Sequence, residues 1–320
     1  MYSTSGATIR GDINIKIEEA AAMDKFFIAQ QVLPMIGVEA KSGQYPKLTR
    51  KDTELLNAGS SVREPKGSYS RTNRAWTFDT YDCVDRGIEE PVDDTEAKDL
   101  GRFFPLEVAA GKWGLRSMML DYEIRTSAAV LNTTNFGAAT NSAVAYTEAL
   151  IATLNFPKDI LDAIERVNDN GSQANTIVMS STVLNRIKRS TLLQNFIRGS
   201  RPSDITQNIT AQQIQQAFAD NGIEQCLVGR ARYNGAKKGQ AYSATNIWGT
   251  GYVWVGECKA GTAEDGGAGR TFVWNQEGGL FVTETYREEN TRSNIVRVRQ
   301  NTTEKIVDGT AGTLIALQWA

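Results

Sequence analysis

The stretch from Asp93 to Asn132 constrains the fold most. Residues 105–131 read as one long amphipathic helix. Leu106, Ala110, Trp113, Ser117, Leu120, Ile124, Ala128 and Leu131 recur at steps of three and four, which predicts that they share its buried face. Glu107, Asp121 and Arg125 fall well round from that face, and Asp121 and Arg125 are spaced to pair across one turn. Pro105 suits a first helical turn, where its missing N–H costs nothing. Gly111 and Gly114 each weaken a helix interior by about 1 kcal/mol relative to Ala, a cost tolerated where a neighbour packs closely. Asp93, Asp94 and Glu96 suit the first turn of a short preceding helix, near its positive dipole end. A plain core helix satisfies the same periodicity, so what flanks this one decides its meaning.

Upstream, residues 1 to about 12 are small and polar and read as an arm. Ile13, Ile15, Ile17, Phe26, Phe27, Val32 and Leu33 follow, with a short helix predicted over Glu18–Gln31 and ended by Pro34. Residues 40–76 lack a core-like pattern and are rich in Gly, Ser, Lys and Arg. So long a structureless loop is unusual inside a compact domain. Residues 43–48 and the alternating run 75–81 are read as the two strands of a long hairpin, its tip near residues 56–65. A lone two-stranded hairpin is marginal in water, so this one is expected to lie on a neighbouring subunit.

Downstream, residues 157–228 read as an α/β unit. Pro157 to Val167 is a Pro-initiated helix, and Asn168–Gly171 ends it. Thr176–Met179 is a buried-type strand. Ser180 or Ser181 caps the next helix, Thr210 caps another, Asn221-Gly222 stops that one, and Glu224–Val228 is a strand. Further strands are predicted at 251–255, 271–274, 279–286, 294–299, 304–308 and 313–318. The strands after residue 271 are expected to return to the domain of the long helix.

Composition closes off several chemistries. The chain has 320 residues and no histidine. Ser-His-Asp and Cys-His nucleophiles and His-containing zinc sites are thereby excluded, and 3 cysteines cannot make a Cys₄ site. Cys83, Cys226 and Cys258 are far apart, without CxxC spacing, and read as core or sheet fillers in a reducing compartment. The net charge of −2 argues against a dedicated nucleic-acid-binding protein. No signal core and no membrane-length apolar run is visible, so no membrane partner is expected.

Glu89 with Glu90, or Asp93 with Asp94, are adjacent pairs that do not face each other, so solvated acids explain them better than catalysis. The glycines of 249–251 and 266–269 lack a following Lys-Ser/Thr pair and read as turn residues. Lys47, Arg50, Lys51, Arg63, Lys66, Arg71 and Arg74 stud the long loop. A solvated loop is the plain reading. Interspersed Asp52, Glu54 and Glu64 weaken a nucleic-acid reading and suit an inter-subunit contact.

The order of elements resembles the major capsid protein of tailed double-stranded DNA phages, the HK97-like fold. The most family-like text runs from Ile160-Leu161-Asp162-Ala163-Ile164 through Asn175-Thr176-Ile177-Val178-Met179-Ser180 to Leu184–Ser190. The resemblance implies an α+β fold with an N-terminal arm at 1–38 and an extended β-hairpin loop at 39–82. It implies a peripheral domain with the spine helix at 83–155, an α/β axial domain at 156–270, and peripheral strands with the C-terminus at 271–320, the last residues rejoining the sheet. It implies no enzyme, no cofactor and no metal. Copies would form pentamers and hexamers around packaged DNA, in the virion capsid, after assembly in the host cytoplasm. Partners would be a separate scaffolding protein, a portal, a decoration protein and DNA through non-specific contact. A Lys–Asn isopeptide crosslink, known in some members, finds no assignable Asn here; Lys47, Lys51 and Lys66 are the loop lysines. Two alternatives stand beside this: an encapsulin-like compartment shell, and a soluble enzyme using paired carboxylates across a cleft. The interposed α/β unit argues against a tail-tube or decoration protein.

Overall fold

The computed structural model describes residues 8–9, 26–47, 62–69, 77–139, 154–198, 209–237, 239–261, 266–275 and 280–317. In chain order the elements that build the body are β1 (Thr8–Ile9), α1 (Ala29–Val32), β2 (Met35–Val38), β3 (Ser42–Lys47), β4 (Thr77–Asp82), β5 (Val84–Asp93), α2 (Asp94–Leu100) and α3 (Leu106–Val130). Then come β6 (Ala138–Ala139), α4 (Phe156–Asp169), β7 (Thr176–Ser180), α5 (Ser181–Ile187), α6 (Thr191–Arg198), α7 (Ala211–Ala217) and β8 (Gln225–Gly229). The last are β9 (Arg232–Asn234), β10 (Ala244–Asn246), β11 (Tyr252–Gly256), β12 (Gly269–Trp274), β13 (Val282–Glu288), β14 (Ser293–Ile306) and β15 (Gly312–Ala316).

Two sheets organise these. The first is a 6-stranded sheet around β14, which spans 14 residues. Along one edge β14 pairs with β13 and then with β12, and along the other with β5. The sequence predicts two strands here, 294–299 and 304–308; the structure has one. Buried Gln300, Asn301 and Thr302 interrupt the apolar pattern without interrupting the ladder, because main-chain pairing to β5 and β12 carries through them.

The second sheet has 5 strands in the order β6-β15-β11-β7-β8. Both of its faces are covered. Ile177, Met179, Val253, Val255 and Ile315 point to the helices α4 to α7, while the intervening Val178, Trp254 and Leu314 point to the arm and the end of α3. Period-two alternation between two apolar layers is why these strands read as unbroken apolar runs. Strand β15 belongs to this sheet, paired with β11 and β6. The expectation that residues 271–320 all return to the sheet of the long helix does not hold for it.

Local signals act where they are read. Asp93 caps α2, accepting from the Thr95 and Glu96 amides. Ser180 caps α5, Thr210 and Gln213 form a capping box on α7, and Gly222 takes a left-handed φ of 93° as the chain leaves it. Of the helix predicted over 18–31, residues 26–28 are a turn and irregular chain, and the helix begins at Ala29 and runs to Val32; residues 18–25 lie outside the described residues.

The long helix forms as expected, but its buried side differs. Trp113, Ser117 and Ala128 face solvent, whereas Gly111, Gly114, Met118, Tyr122, Glu123, Thr126 and Ser127 are buried. The buried residues advance in steps of four, from Ala110 through Gly114, Met118, Tyr122 and Thr126 to Val130. At ~100° per residue such a stripe drifts by ~40° per step. It begins against β14 and β5, where Ala110 meets Val92 and Val296, and ends under the second sheet, where Val130 meets Trp254 and Leu314. Gly114 is where the first sheet comes closest: a Cβ there would lie 3.0 Å from Val298 Cγ2. The sequence pairing of Asp121 with Arg125 is present at 3.0 Å.

Candidate assembly surfaces and the joint between the sheets

Glu123 is one residue through which the long helix ties the body together. Glu123 is fully buried. Its Oε1 accepts from the Trp248 indole N–H at 2.5 Å and its Oε2 from the Ala29 amide at 2.9 Å. The Ile28 amide donates to both oxygens, at 3.1 and 3.2 Å. One carboxylate therefore holds the arm, the loop before β11 and the helix in fixed relation. Burial pushes its carboxyl above the ordinary value, and the Trp248, Ile28 and Ala29 donors pull it back down. A second tie runs beside it. The Tyr122 hydroxyl lies 2.8 Å from Thr271 Oγ1, which itself donates to the Leu33 carbonyl at 3.1 Å. Arg125 completes the set by bridging Asp121 and Glu304. Nothing in the local sequence marks Glu123; an interior helical Glu reads as solvated.

A cavity of about 680 Å³ opens at this joint, walled by apolar residues such as Phe27, Met119 and Phe281. Among the described residues Glu123 is the only carboxylate lining it. Hydrolysis by paired carboxylates needs two across a cleft. Of the acids weighed earlier, Glu89, Asp93 and Asp94 have structural partners elsewhere. Glu89 pairs with Arg297 at 2.7 Å, and the Asp94 carboxylate takes a two-pronged contact from Arg287 at 2.6 and 2.7 Å. Glu89, Arg297 and Glu284 sit opposite one another across β5, β14 and β13, a cross-strand charge row on one face of the sheet. The three cysteines are free thiols, and burial pushes Cys83 up to about 11 and Cys226 and Cys258 to about 12, so none is a ready nucleophile.

The hairpin pairs as read, β3 against β4 with Gln44 opposite Thr80 and Lys47 opposite Thr77. Its root is fastened to the first sheet. Tyr45 and Tyr81 pack on Phe272 with centroids 5.1 and 4.8 Å away, and the Tyr45 hydroxyl reaches Asp79 and the Ile306 carbonyl. Among the described residues the two strands farther out pair only with each other, and Phe78 is 63% exposed. Of the basic loop residues, Lys47 is exposed at the end of β3. Arg63 and Lys66 lie in the turn around 62–69, Arg63 stacked 5.0 Å over Tyr69 and Lys66 at a φ of 67°. Arg50, Lys51, Arg71 and Arg74 lie outside the described residues. No helix among the described residues is long and apolar enough to cross a membrane.

No family model matches the sequence. The chain is 24% identical over 233 residues to the major capsid protein of Burkholderia phage BcepMu, covering 71% of this chain and 70% of that one. Its fold matches a phage-related protein of Bordetella bronchiseptica RB50 with a TM-score of 0.69 and 20% identity over 97% of each chain. It also matches the putative capsid protein of an Escherichia coli CFT073 prophage, with a TM-score of 0.56 and 11% identity over 97% of this chain and 99% of that one. These likenesses define a class, the α+β fold of phage capsid proteins. Within it, the chain has the HK97-like arrangement: arm, hairpin, long helix running from one sheet to the next, and an α/β unit on the second.

Proposed function

We propose that the chain is the major capsid protein of a tailed double-stranded DNA phage. Copies join as pentamers and hexamers that tile an icosahedral shell in the virion, assembled in the host cytoplasm around DNA. The observation that carries this is near-complete coverage by the fold of a phage-related protein, 97% of both chains, together with sequence similarity to a curated major capsid protein. Among the described residues the hairpin strands are fastened to the body at their root, which supports the part assigned to neighbours: a two-stranded ribbon gains its remaining stability from another surface. In this reading residues 1–38 are the arm, 39–82 the extended loop, 83–155 the peripheral domain with its spine helix, and 156–270 the axial domain. Residues 271–320 carry the peripheral strands, except β15, which closes the axial sheet. Lys47, Arg50, Lys51, Arg63, Lys66, Arg71 and Arg74 are the inter-subunit contacts of the loop. A scaffolding protein, a portal and a decoration protein are the further partners.

The test is the mass and shape of the purified native protein, by light scattering and negative-stain microscopy. Uniform hollow particles are expected. Particles filled with protein rather than DNA would transfer the shell to a cargo compartment. Deleting residues 50–70 is expected to leave a folded subunit that builds no regular shell; normal shells from that deletion would remove the account of the loop.

A further inference from the structure

The long helix has three carboxylates that bear on its charge, and all are turned to internal duties. Glu107 accepts from the Asn294 amide at 3.0 Å, Asp121 pairs with Arg125 at 3.0 Å, and Glu123 is buried at the joint. What remains outward on its first half is Lys112, Trp113, Arg116 and Ser117. Lys112 and Arg116 are exposed one turn apart, and neither has a carboxylate partner among the described residues. Trp113 stands beside them, 54% exposed, on the face that an apolar count would have buried. The turn leading into the helix adds Phe103 at 70% and Phe104 at 41% exposure. Arg102 stacks on Phe103 there, its charge offset by Asp99 at 3.8 Å, so it does not count as a free cation.

We propose that this face, carried by Lys112, Trp113 and Arg116, is a contact surface for duplex DNA. The proposal rests on the shell reading above and names the part of the chain that meets the enclosed polyanion. Charge complementarity carries it. The protein as a whole is net −2, so a face of one sign is not a by-product of a basic chain. Two unpaired cations on long, mobile stems reach separate phosphates. The indole offers an N–H donor and a flat apolar body to the sugar–phosphate edge. A symmetric contact between two copies of this face would set cation against cation.

The test uses the full chain, taken as the unassembled fraction from size exclusion, and a fluorescent mixed-sequence DNA duplex titrated at several salt concentrations. The Lys112→Gln/Arg116→Gln variant is expected to bind roughly tenfold more weakly at low salt. Its slope of log affinity against log salt should fall by roughly 1.8, the value for two phosphate contacts. Trp113→Ala is expected to weaken binding several-fold with the slope kept. Both variants alter exposed side chains, and an unchanged melting temperature verifies their folding. Shell formation by the same variants is followed in parallel by light scattering. Unchanged affinity and slope would overturn the proposal, as would a native chain that does not bind the duplex. Variants that bind DNA normally yet fail to build shells would also overturn it and assign the face to a second copy. A native chain that builds no shells but shows the expected loss and slope change would sink the shell reading and leave this contact standing.

Discussion

Helix α4 buries Ile160, Ala163, Ile164 and Val167 against the second sheet, the side that a count of its apolar residues picks out. Helix α3, 25 residues against 14, buries two glycines, a glutamate, a threonine and a serine while leaving a tryptophan in solvent. The difference lies in what each helix packs on. One short helix on one sheet face has a single buried stripe, so its sequence reports it. A long helix that starts on one sheet and ends under another changes its buried side along its length. Close approach and hydrogen bonding then select residues that hydrophobicity does not score.

The largest test of this contrast compares two truncations. Ile160→Ala is expected to cost about 2–5 kcal/mol in urea unfolding of the unassembled chain, by loss of buried methyl groups and the cavity left behind. Trp113→Ala, though it removes more atoms, is expected to stay within about 0.5 kcal/mol. Comparable losses would reinstate the face read from apolar spacing.

Next comes the joint. Glu123→Ala leaves the Ile28, Ala29 and Trp248 donors without their acceptor and is expected to destabilise by about 1–3 kcal/mol. Its pH dependence sharpens the point. The carboxyl is raised above 4.5 in the folded protein, so folding strengthens its hold on a proton. Its titration therefore contributes stability that is full below about 4.5 and is lost as pH rises through the folded value. Measured against Glu123→Gln, which does not titrate, the native chain should lose relative stability across that window and level off above it. A relative gain with rising pH would show that the three donors outweigh burial.

Gly114→Ala sets helix propensity against packing. The methyl group favours the helix by about 1 kcal/mol, but it would sit 3.0 Å from Val298 Cγ2. Net destabilisation of about 1 kcal/mol is expected from overpacking; a stabilised variant would show that the helix and β14 have slack between them. The smallest effect belongs to the charge row. Arg297→Ala is expected to cost about 0.5 kcal/mol, shrinking as salt is added, because the pair with Glu89 is partly exposed. A loss above 2 kcal/mol would mean that the row, and not the apolar layer beneath, holds β5 and β13 to β14.

The pieces legible in advance share a range of a few residues. The hairpin strands at Gly43 and Tyr81, the helix-start acids from Asp93, the caps at Ser180 and Thr210, the stop at Gly222 and the buried strand at Ile177–Met179 all announce themselves through neighbours in the chain. Caps, turns and two-residue alternation are satisfied locally, so their residue types are local too. The order of these elements was enough to point to the fold that the solved phage capsid structures share. Tertiary structure alone decided which side of α3 is buried, that residues 293–306 make one strand, that β15 joins the second sheet, and that Glu123 is a buried joint. Each depends on partners far along the chain, as the Glu123 contacts to Ile28 and Trp248 do at separations of 95 and 125. A glutamate that will meet three N–H donors carries the same letter as one that will meet water, and only the folded surroundings tell them apart.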